Sequence, residues 1–545
     1  MSTNALNQVY KTGILAVEEA QVTSDLVAGD PTPPATTIDI PVHGYYMTAK
    51  PFADGDYRPY ILRDDRFVYD NALGMDVPNS ERITILSITG ETATPLGDGI
   101  GYEYAATLKV QGYGSNGWGG GLHNSYLLNY NPTILTPGVE MAIQNSDFNC
   151  RFKTLTDAPK VDFDDEASRF ATGDEGRDLS IAGARSGEIT FTQKLAWAGN
   201  TYTSPVWSKI MRSMGHVKRI HKAYQVGGPV NPTSYATLLL LIAGNMYKAG
   251  DKFHSADGSD TTDNALAAIK GSAIEVGDSF ICTGDDGIPN HYATGATFLT
   301  PVGIEFLPMP EANEVTATIW IINPENGASP SNTVYRYRGA HGGNGSSLAV
   351  GKIGDVYMLT AKYNAAFVST MEIPFSNVRV LTSPETNIPE VMLNNTVSVP
   401  ATVNGANMTK NVEISQFSLD FGGVVNPFID QSTSTGNAYF ATQDRDPRLT
   451  VNPYMVRKNL DDIDNTVSNM KAGMVKIQSA PTNPHVTVEL PNAQLLSPAY
   501  ASREGYINTN RTYRALRNDT GAGAIDNAMP VSVMYGILIG KRTYA

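Results

Sequence analysis

The sequence predicts a mainly β fold, and three observations carry that prediction. Charged residues make up only 17% of the 545 residues, against roughly 25% in ordinary globular chains. Glycine (50 residues) and tyrosine (27 residues) fill much of the gap, with asparagine, serine and threonine. That composition suits strands joined by many turns. Runs that alternate apolar and polar residues recur: Arg82-Ile-Thr-Ile-Leu-Ser-Ile-Thr89, Tyr104-Ala-Ala-Thr-Leu-Lys-Val110 and Val412-Glu-Ile-Ser-Gln-Phe-Ser-Leu-Asp-Phe421. Each sends every second side chain to one face. The third observation is a strand followed by a short amphipathic helix, which occurs twice.

In the first copy, Ser186-Gly-Glu-Ile-Thr-Phe-Thr-Gln-Lys-Leu-Ala-Trp-Ala-Gly199 predicts a strand over 188–197. A helix follows over 205–214. Ser204 suits its N-cap and Pro205 its first position. Val206, Trp207, Ile210, Met211 and Met214 share one face, and Gly215 suits the stop. In the second copy, Asp446-Pro-Arg-Leu-Thr-Val-Asn-Pro-Tyr-Met-Val456 predicts a strand over 448–456. A helix over 460–470 follows, with Leu460, Ile463, Val467 and Met470 on one side and Gly473 closing it. A repeat of this length indicates duplicated domains, not a solenoid.

The length implies two to four structural units. Residues 1–39 read as an N-terminal helix and arm. Leu15, Val17, Ala20 and Val22 give a loose apolar pattern over 7–28, and Pro31-Thr-Pro-Pro34 ends it. Residues 40–130 form an additional β-rich block. Its segment Gly112-Tyr-Gly-Ser-Asn-Gly-Trp-Gly-Gly-Gly121 lacks the Gly-Lys-Ser/Thr of a phosphate loop and reads as an exposed contact loop. Residues 131–393 form a first domain with strands over 315–322, 333–338 and 355–363. It carries an insertion near 250–310 that contains a short helical piece over 265–270. Residues 394–545 form a second domain with strands over 485–490, 506–516 and 531–539.

Charge and motifs narrow the function. The formal net charge is −14, so the chain is not built to wrap nucleic acid, which needs Lys and Arg on phosphates. The densest basic cluster, Lys218-Arg-Ile-His-Lys222, reads as a solvated helix C-terminus. Cys150 and Cys282 are far apart and read as buried reduced thiols, with no disulfide framework and no metal spacing. No signal peptide is expected at the N-terminus. The longest apolar run, Leu238-Leu-Leu-Leu-Ile-Ala243, is too short for a bilayer and reads as a buried strand. His216 and His221 read as surface or interface histidines. Asp162, Asp164, Asp165 and Glu166, and likewise Asp257, Asp260 and Asp263, read as solvated loop acids, since neither set has EF-hand spacing. No residue is assigned as catalytic, cofactor-binding or metal-binding, no cofactor is expected, and the chain is not read as an enzyme.

Several segments resemble the tail tube (major tail) proteins of bacteriophages with long non-contractile tails. They are Asn131-Pro-Thr-Ile-Leu-Thr-Pro137, Ser186-Gly-Glu-Ile-Thr-Phe-Thr192 with Pro205-Val-Trp-Ser-Lys-Ile-Met-Arg-Ser-Met-Gly215, and Tyr337-Arg-Gly-Ala-His-Gly-Gly343 leading to Asp355-Val-Tyr-Met-Leu-Thr-Ala-Lys-Tyr363. Ile414-Ser-Gln-Phe-Ser-Leu-Asp-Phe-Gly422, Val488-Glu-Leu-Pro-Asn-Ala-Gln-Leu495 and Arg503-Glu-Gly-Tyr506 extend the likeness, as does the N-terminal segment over 10–33. The blocks near 40–130 and 250–310 depart from the family's shorter core. The resemblance implies duplicated β-sandwich or barrel domains, each flanked by a short helix. Copies form rings that stack into a tube, the conduit for genome ejection into the host. Two domains per chain imply three chains per ring; one complete domain would require six.

The implied partners are other copies of the chain and other tail proteins: tape measure, terminator and distal tail. DNA passes through the lumen without specific binding. The implied location is the virion tail, after synthesis and assembly in the host cytoplasm, with no membrane insertion. Two rival readings stand beside this one. The first is another virion component, such as a terminator, connector, capsid or decoration protein. The second is a carbohydrate-binding tail spike, in which the aromatic loop 113–118 would stack on sugar rings.

Overall fold

The computed structural model describes residues 12–22, 37–55, 60–70, 75–96, 101–112, 133–143, 151–154, 162–167, 180–195, 207–221, 224–229, 254–255, 267–270, 291–292, 297–298, 301–308, 315–324, 331–343, 345–352, 354–374, 392, 396–403, 406–453, 472–478, 485–503, 506–516 and 532–538. Strands dominate the described elements, and all but one of the pairings are antiparallel. The fold is mainly β, as the composition predicts.

Residues 12–22 form two strands, β1 Thr12–Val17 and β2 Glu19–Val22, and not the helix that the loose apolar pattern predicts. The cause is burial on both faces. Leu15 and Val17 enter one core while Ile14 and Ala16 enter a second. A surface helix buries a single stripe, whereas a strand between two cores needs a continuous apolar run.

β2 belongs to a closed barrel with β3 Thr37–Tyr46, β4 Tyr60–Asp70, β5 Met75–Pro95, β6 Tyr102–Gly112 and β7 Thr133–Leu135. The strand order is β2-β3-β6-β5-β4-β7. β3 and β6 pair from Thr37↔Gln111 to Tyr46↔Tyr102. Ile40, Val42 and Tyr46 of β3 are buried in one cluster with Tyr104, Ala106, Leu108 and Val110 of β6. The barrel therefore draws strands from both sides of residues 40–130. Closure removes the open edges such a block would otherwise expose.

The chain continues through β8 Arg151–Thr154, β9 Asp162–Ala167, β10 Ser180–Lys194, the helix α1 Ser208–Ser213 and β11 His216–His221. Small pairings follow. β12 Tyr224–Pro229 pairs with β14 Ala267–Lys270 and β16 Thr297–Phe298, and β13 His254–Ser255 pairs with β15 His291–Tyr292. Residues 267–270 are thus strand and not the predicted helical piece. So short a segment cannot nucleate a helix alone, and pairing with β12 supplies its hydrogen bonds.

The remaining strands of the first half are β17 Pro301–Pro308, β18 Ala317–Pro324, β19 Ser331–Gly342, β20 Ser347–Val350 and β21 Met358–Pro374. Those of the second are β22 Thr396–Val403, β23 Ala406–Val412, β24 Ile414–Asp420, β25 Gly423–Ile429, β26 Asn437–Arg445, β27 Arg448–Pro453, β28 Ala472–Gln478, β29 His485–Arg503, β30 Tyr506–Ala515 and β31 Ser532–Leu538. In the first half the pairings β1–β18–β19–β21–β10–β8 return to β1, a closed circuit. In the second, β24–β27–β30–β29–β28–β22–β23 run as an arc.

One strand, β20, joins circuit and arc, and a second, β31, ties the arc to the separate pair β11–β17 of the first half. β20 pairs with β21 on one side and β24 on the other. β31 pairs with β17 and with β29. All belong to one 18-stranded sheet. One core runs through both halves, with Phe191 and Tyr363 from the first beside Leu419, Val451 and Val488 from the second. The second core lies between barrel and circuit, where Trp320, Ile322 and Val334 share a cluster with Tyr46, Phe52 and Tyr104.

α1 follows β10 as the strand–helix pattern predicts, but it is shorter. Trp207 takes the N-cap place with no side-chain bond, and residues 204–206 lie outside the described residues. Trp207, Ile210, Met211 and Met214 are buried as predicted, with Trp207 5.2 Å from the Phe306 ring. Gly215 follows the last turn. The predicted strand over 188–197 starts earlier, at Ser180, and ends at Lys194. The predicted strand over 448–456 is β27. The predicted helix over 460–470 lies outside the described residues. Among the described residues, no helix is long and apolar enough to cross a membrane.

Candidate functional site

Glu18 is the single residue between β1 and β2, and it is fully buried. Its N–H donates to the Thr316 carbonyl at 2.9 Å, and its carbonyl accepts the Thr136 N–H at 3.0 Å. The carboxylate gathers four more donors. Oε1 accepts the Gly339 N–H at 2.7 Å and the Thr318 hydroxyl at 2.9 Å. Oε2 accepts the Gly138 N–H at 2.5 Å and the Thr316 hydroxyl at 2.6 Å. Four donors match the lone-pair capacity of an ionised carboxylate. Burial pushes this carboxyl up to about 7, while the four hydrogen bonds pull it the other way.

The donors come from separate parts of the fold. Gly138 follows β7 of the barrel, Thr316 and Thr318 belong to the approach and body of β18, and Gly339 lies in β19. Gly138 and Gly339 adopt φ of 76° and 55°, which a side chain would resist. Space forbids one as well: a Cβ would meet Ala438 O at 2.2 Å from Gly138 and Tyr439 Cα at 2.5 Å from Gly339. β26 therefore lies directly over the joint. Arg338 reinforces it, reaching Gly138 O at 3.4 Å and the Thr435 hydroxyl at 3.0 Å. Beside it, Arg212 of α1 holds both oxygens of Glu19, at 3.3 and 2.7 Å, and Arg336 lies 3.4 Å from Glu140.

β25 and β26 form a two-stranded sheet of their own. Tyr439, Phe440 and Thr442 are buried, while Val424, Phe428 and Ile429 are 46%, 51% and 73% exposed. Phe428 stacks on Tyr439 at 4.9 Å. The turn is fixed by the Asp430 N–H on Gly436 O at 3.1 Å and by the Ser432 N–H on Asp430 Oδ1 at 2.8 Å. Pro427 within β25 lacks a donor N–H, which disfavours addition of a further strand. The apolar side chains are then the means by which this hairpin can make contact.

At the hairpin's base, next to α1, His216 and His341 are 1% and 0% exposed. The His216 ring meets Phe421 edge-on at 5.0 Å, and its Nδ1 has no hydrogen-bond partner. The Thr442 hydroxyl lies 3.4 Å from His341 Nε2 and accepts Arg445 Nη2 at 3.4 Å. Arg445 is wedged against Gly215, where a Cβ would meet Nη2 at 1.8 Å.

Three sequence expectations need correction. His216 is buried and not at a surface, because β11 starts directly after α1 and its first residue turns under Phe421. The basic run from Lys218 to His221 lies in β11, with Lys218 opposite Phe306 and Arg219 opposite Glu305, and not at a solvated helix end. The acids Asp162, Asp164, Asp165 and Glu166 lie in β9, paired to β10, and not in a loop; charges are common on strands that border a sheet. Lys222, Cys150, Cys282, Asp257, Asp260, Asp263, the run over 238–243 and the glycine-rich and aromatic loop over 113–121 lie outside the described residues. Among the described residues, no group of three His, Cys, Asp or Glu could hold a metal ion.

Sequence reasoning missed Glu18. The signal was present: the pair Glu18-Glu19 between Ile14-Leu-Ala-Val17 and Ala20 puts charge inside an apolar run, which burial must satisfy. No known family model matches the chain, and no curated protein matches it.

Proposed function

We propose that the protein is a structural subunit that polymerises into stacked rings, the tail tube of a long non-contractile bacteriophage tail and the conduit for genome ejection. The observation that carries this reading is the junction at β20, which pairs with β21 of the circuit on one side and β24 of the arc on the other. Two β units of one chain meet edge to edge, and one core crosses the boundary. A ring wall needs the same kind of contact to recur between chains, which turns strand edges from a liability into a bond. With two strand–helix units per chain, three chains give a ring of six sectors. A net charge of −14 favours a lumen that repels phosphate. The exposed Val424, Phe428 and Ile429 suit contact with a neighbouring copy. In this role the protein acts by assembly and not by catalysis. Its partners are further copies and the tape measure, terminator and distal tail proteins, in the virion tail, after assembly in the host cytoplasm. Sedimentation velocity over a rising concentration series tests the proposal. Species at multiples of three chains are expected, and a monomer at every concentration contradicts it.

A further inference from the structure

Independently of tube assembly, the β25–β26 hairpin poses a question. It carries the exposed Val424, Phe428 and Ile429 and lies next to two buried imidazoles, His216 and His341. We propose that His216, seated beside His341 and Arg445, forms an acid-opened latch that holds this hairpin against the body of the protein. The geometry is closed: His216 is under Phe421 at 5.0 Å, Thr442 of β26 is against His341, and Arg445 of β26 is packed on Gly215. β26 supplies the lid, while α1, β11 and β19 supply the floor.

The surrounding charges set the direction. From α1, Arg212 is engaged by Glu19 at 2.7 Å, and Lys209 is half-buried. From β19 come His341 and Arg338. From β26 come Arg445 and Asp444, whose carboxylate accepts the Arg445 N–H at 2.7 Å. Before β25, Asp420 accepts the Gly422 N–H at 2.9 Å; from β21, Lys362 pairs with Glu188 at 3.1 Å. β11 carries Lys218 and Arg219 further along. Burial, and then the charges of Arg445 and His341, disfavour a proton on His216; the Met211 and Met214 carbonyls favour one. The balance holds the imidazole well below its ordinary value of 6.5. The closed hairpin thus excludes a proton that the open one accepts. The latch is intact above that ordinary value and is lost as pH falls below it.

Hydrogen–deuterium exchange of the full chain, corrected for the intrinsic rate and followed from about pH 8 to about pH 5, reads the latch directly. Peptides over 423–445 are expected to lose protection about tenfold per pH unit for each proton taken up, while β1 and β18 keep theirs. His216→Phe keeps a ring beside Phe421 but cannot be protonated, and its hairpin should stay protected throughout. If that variant does not fold, His216→Gln takes its place, and the wild-type profile decides alone if neither does. The latch is overturned by flat protection of 423–445, by loss of β1 and β18 in step with the hairpin, or by a folded variant that opens at the wild-type pH.

Discussion

Thr316 donates its hydroxyl to the buried carboxylate of Glu18 at 2.6 Å, and its carbonyl receives the Glu18 N–H at 2.9 Å. The two residues are 298 positions apart. These two hydrogen bonds fix the point where the chain leaves the main sheet and enters the barrel. Because Gly138, Thr318 and Gly339 converge on the same carboxylate, the barrel is tied to the body and not merely tethered by a linker.

Removing the carboxylate should loosen that tie. Glu18→Ala orphans two buried N–H groups and two hydroxyls, and we expect a loss of about 3 kcal/mol or more. Glu18→Gln keeps the shape but turns an amide nitrogen toward donors, at a cost of roughly 1–3 kcal/mol. Urea unfolding midpoints measure both.

The pH dependence has a definite sign. The folded Glu18 carboxyl is pushed up to about 7 from an ordinary 4.5, so between those values the folded protein holds a proton that the unfolded chain releases. The resulting stability is complete below the lower value and is lost as pH rises through the higher one, in total roughly 3 kcal/mol. Burial also raises Glu140, which adds to the same trend. Urea midpoints for the wild type should fall between about pH 5 and pH 8, with a shallower slope in Glu18→Gln. This slope is opposite to that of the His216 latch, so whole-chain unfolding and hairpin exchange separate the two.

Gly339→Ala should unseat the hairpin. The new Cβ would meet Tyr439 Cα at 2.5 Å with φ at 55°, and we expect a loss of about 2–4 kcal/mol. Gly55→Ala is the control. Its φ is 78° with nothing within 4 Å, so only the backbone strain, about 1 kcal/mol, remains. Equal losses at the two positions would contradict the contact.

Trp320 is fully buried on the face that the barrel covers. Trp320→Ala should cost about 3–5 kcal/mol. Exchange over residues 37–46 and 102–112 should speed up more than exchange over the second half of the chain.

The exposed apolar residues should matter to assembly and not to folding. Phe428→Ser with Ile429→Thr should change the unfolding free energy by less than about 1 kcal/mol. The same pair should suppress tubes while sparing single rings.

Part of this was legible in the sequence. The alternating runs at 82–89 and 104–110 fall within β5 and β6, while that at 412–421 is divided at Glu413 between the end of β23 and β24, where buried and exposed residues alternate from Ser415 to Leu419. α1 was legible from Trp207, Ile210, Met211 and Met214, a helical stripe that ends at Gly215. Three features were hidden. β1 is apolar on both faces, so its periodicity cannot distinguish strand from helix. β9 is acidic, and its strand character comes from pairing with β10 and not from its own composition. The Glu18 joint draws its donors from residues more than 100 positions away, and two are backbone N–H groups that no motif records.

Electron microscopy of the concentrated protein, with rotational averaging of end-on views, tests whether the chain closes rings which stack. Hollow rings and tubes in which three chains make six wall sectors are expected. Rings of six equivalent chains would contradict the two-unit subunit, and dispersed single particles without a lumen at any concentration would contradict the tube itself.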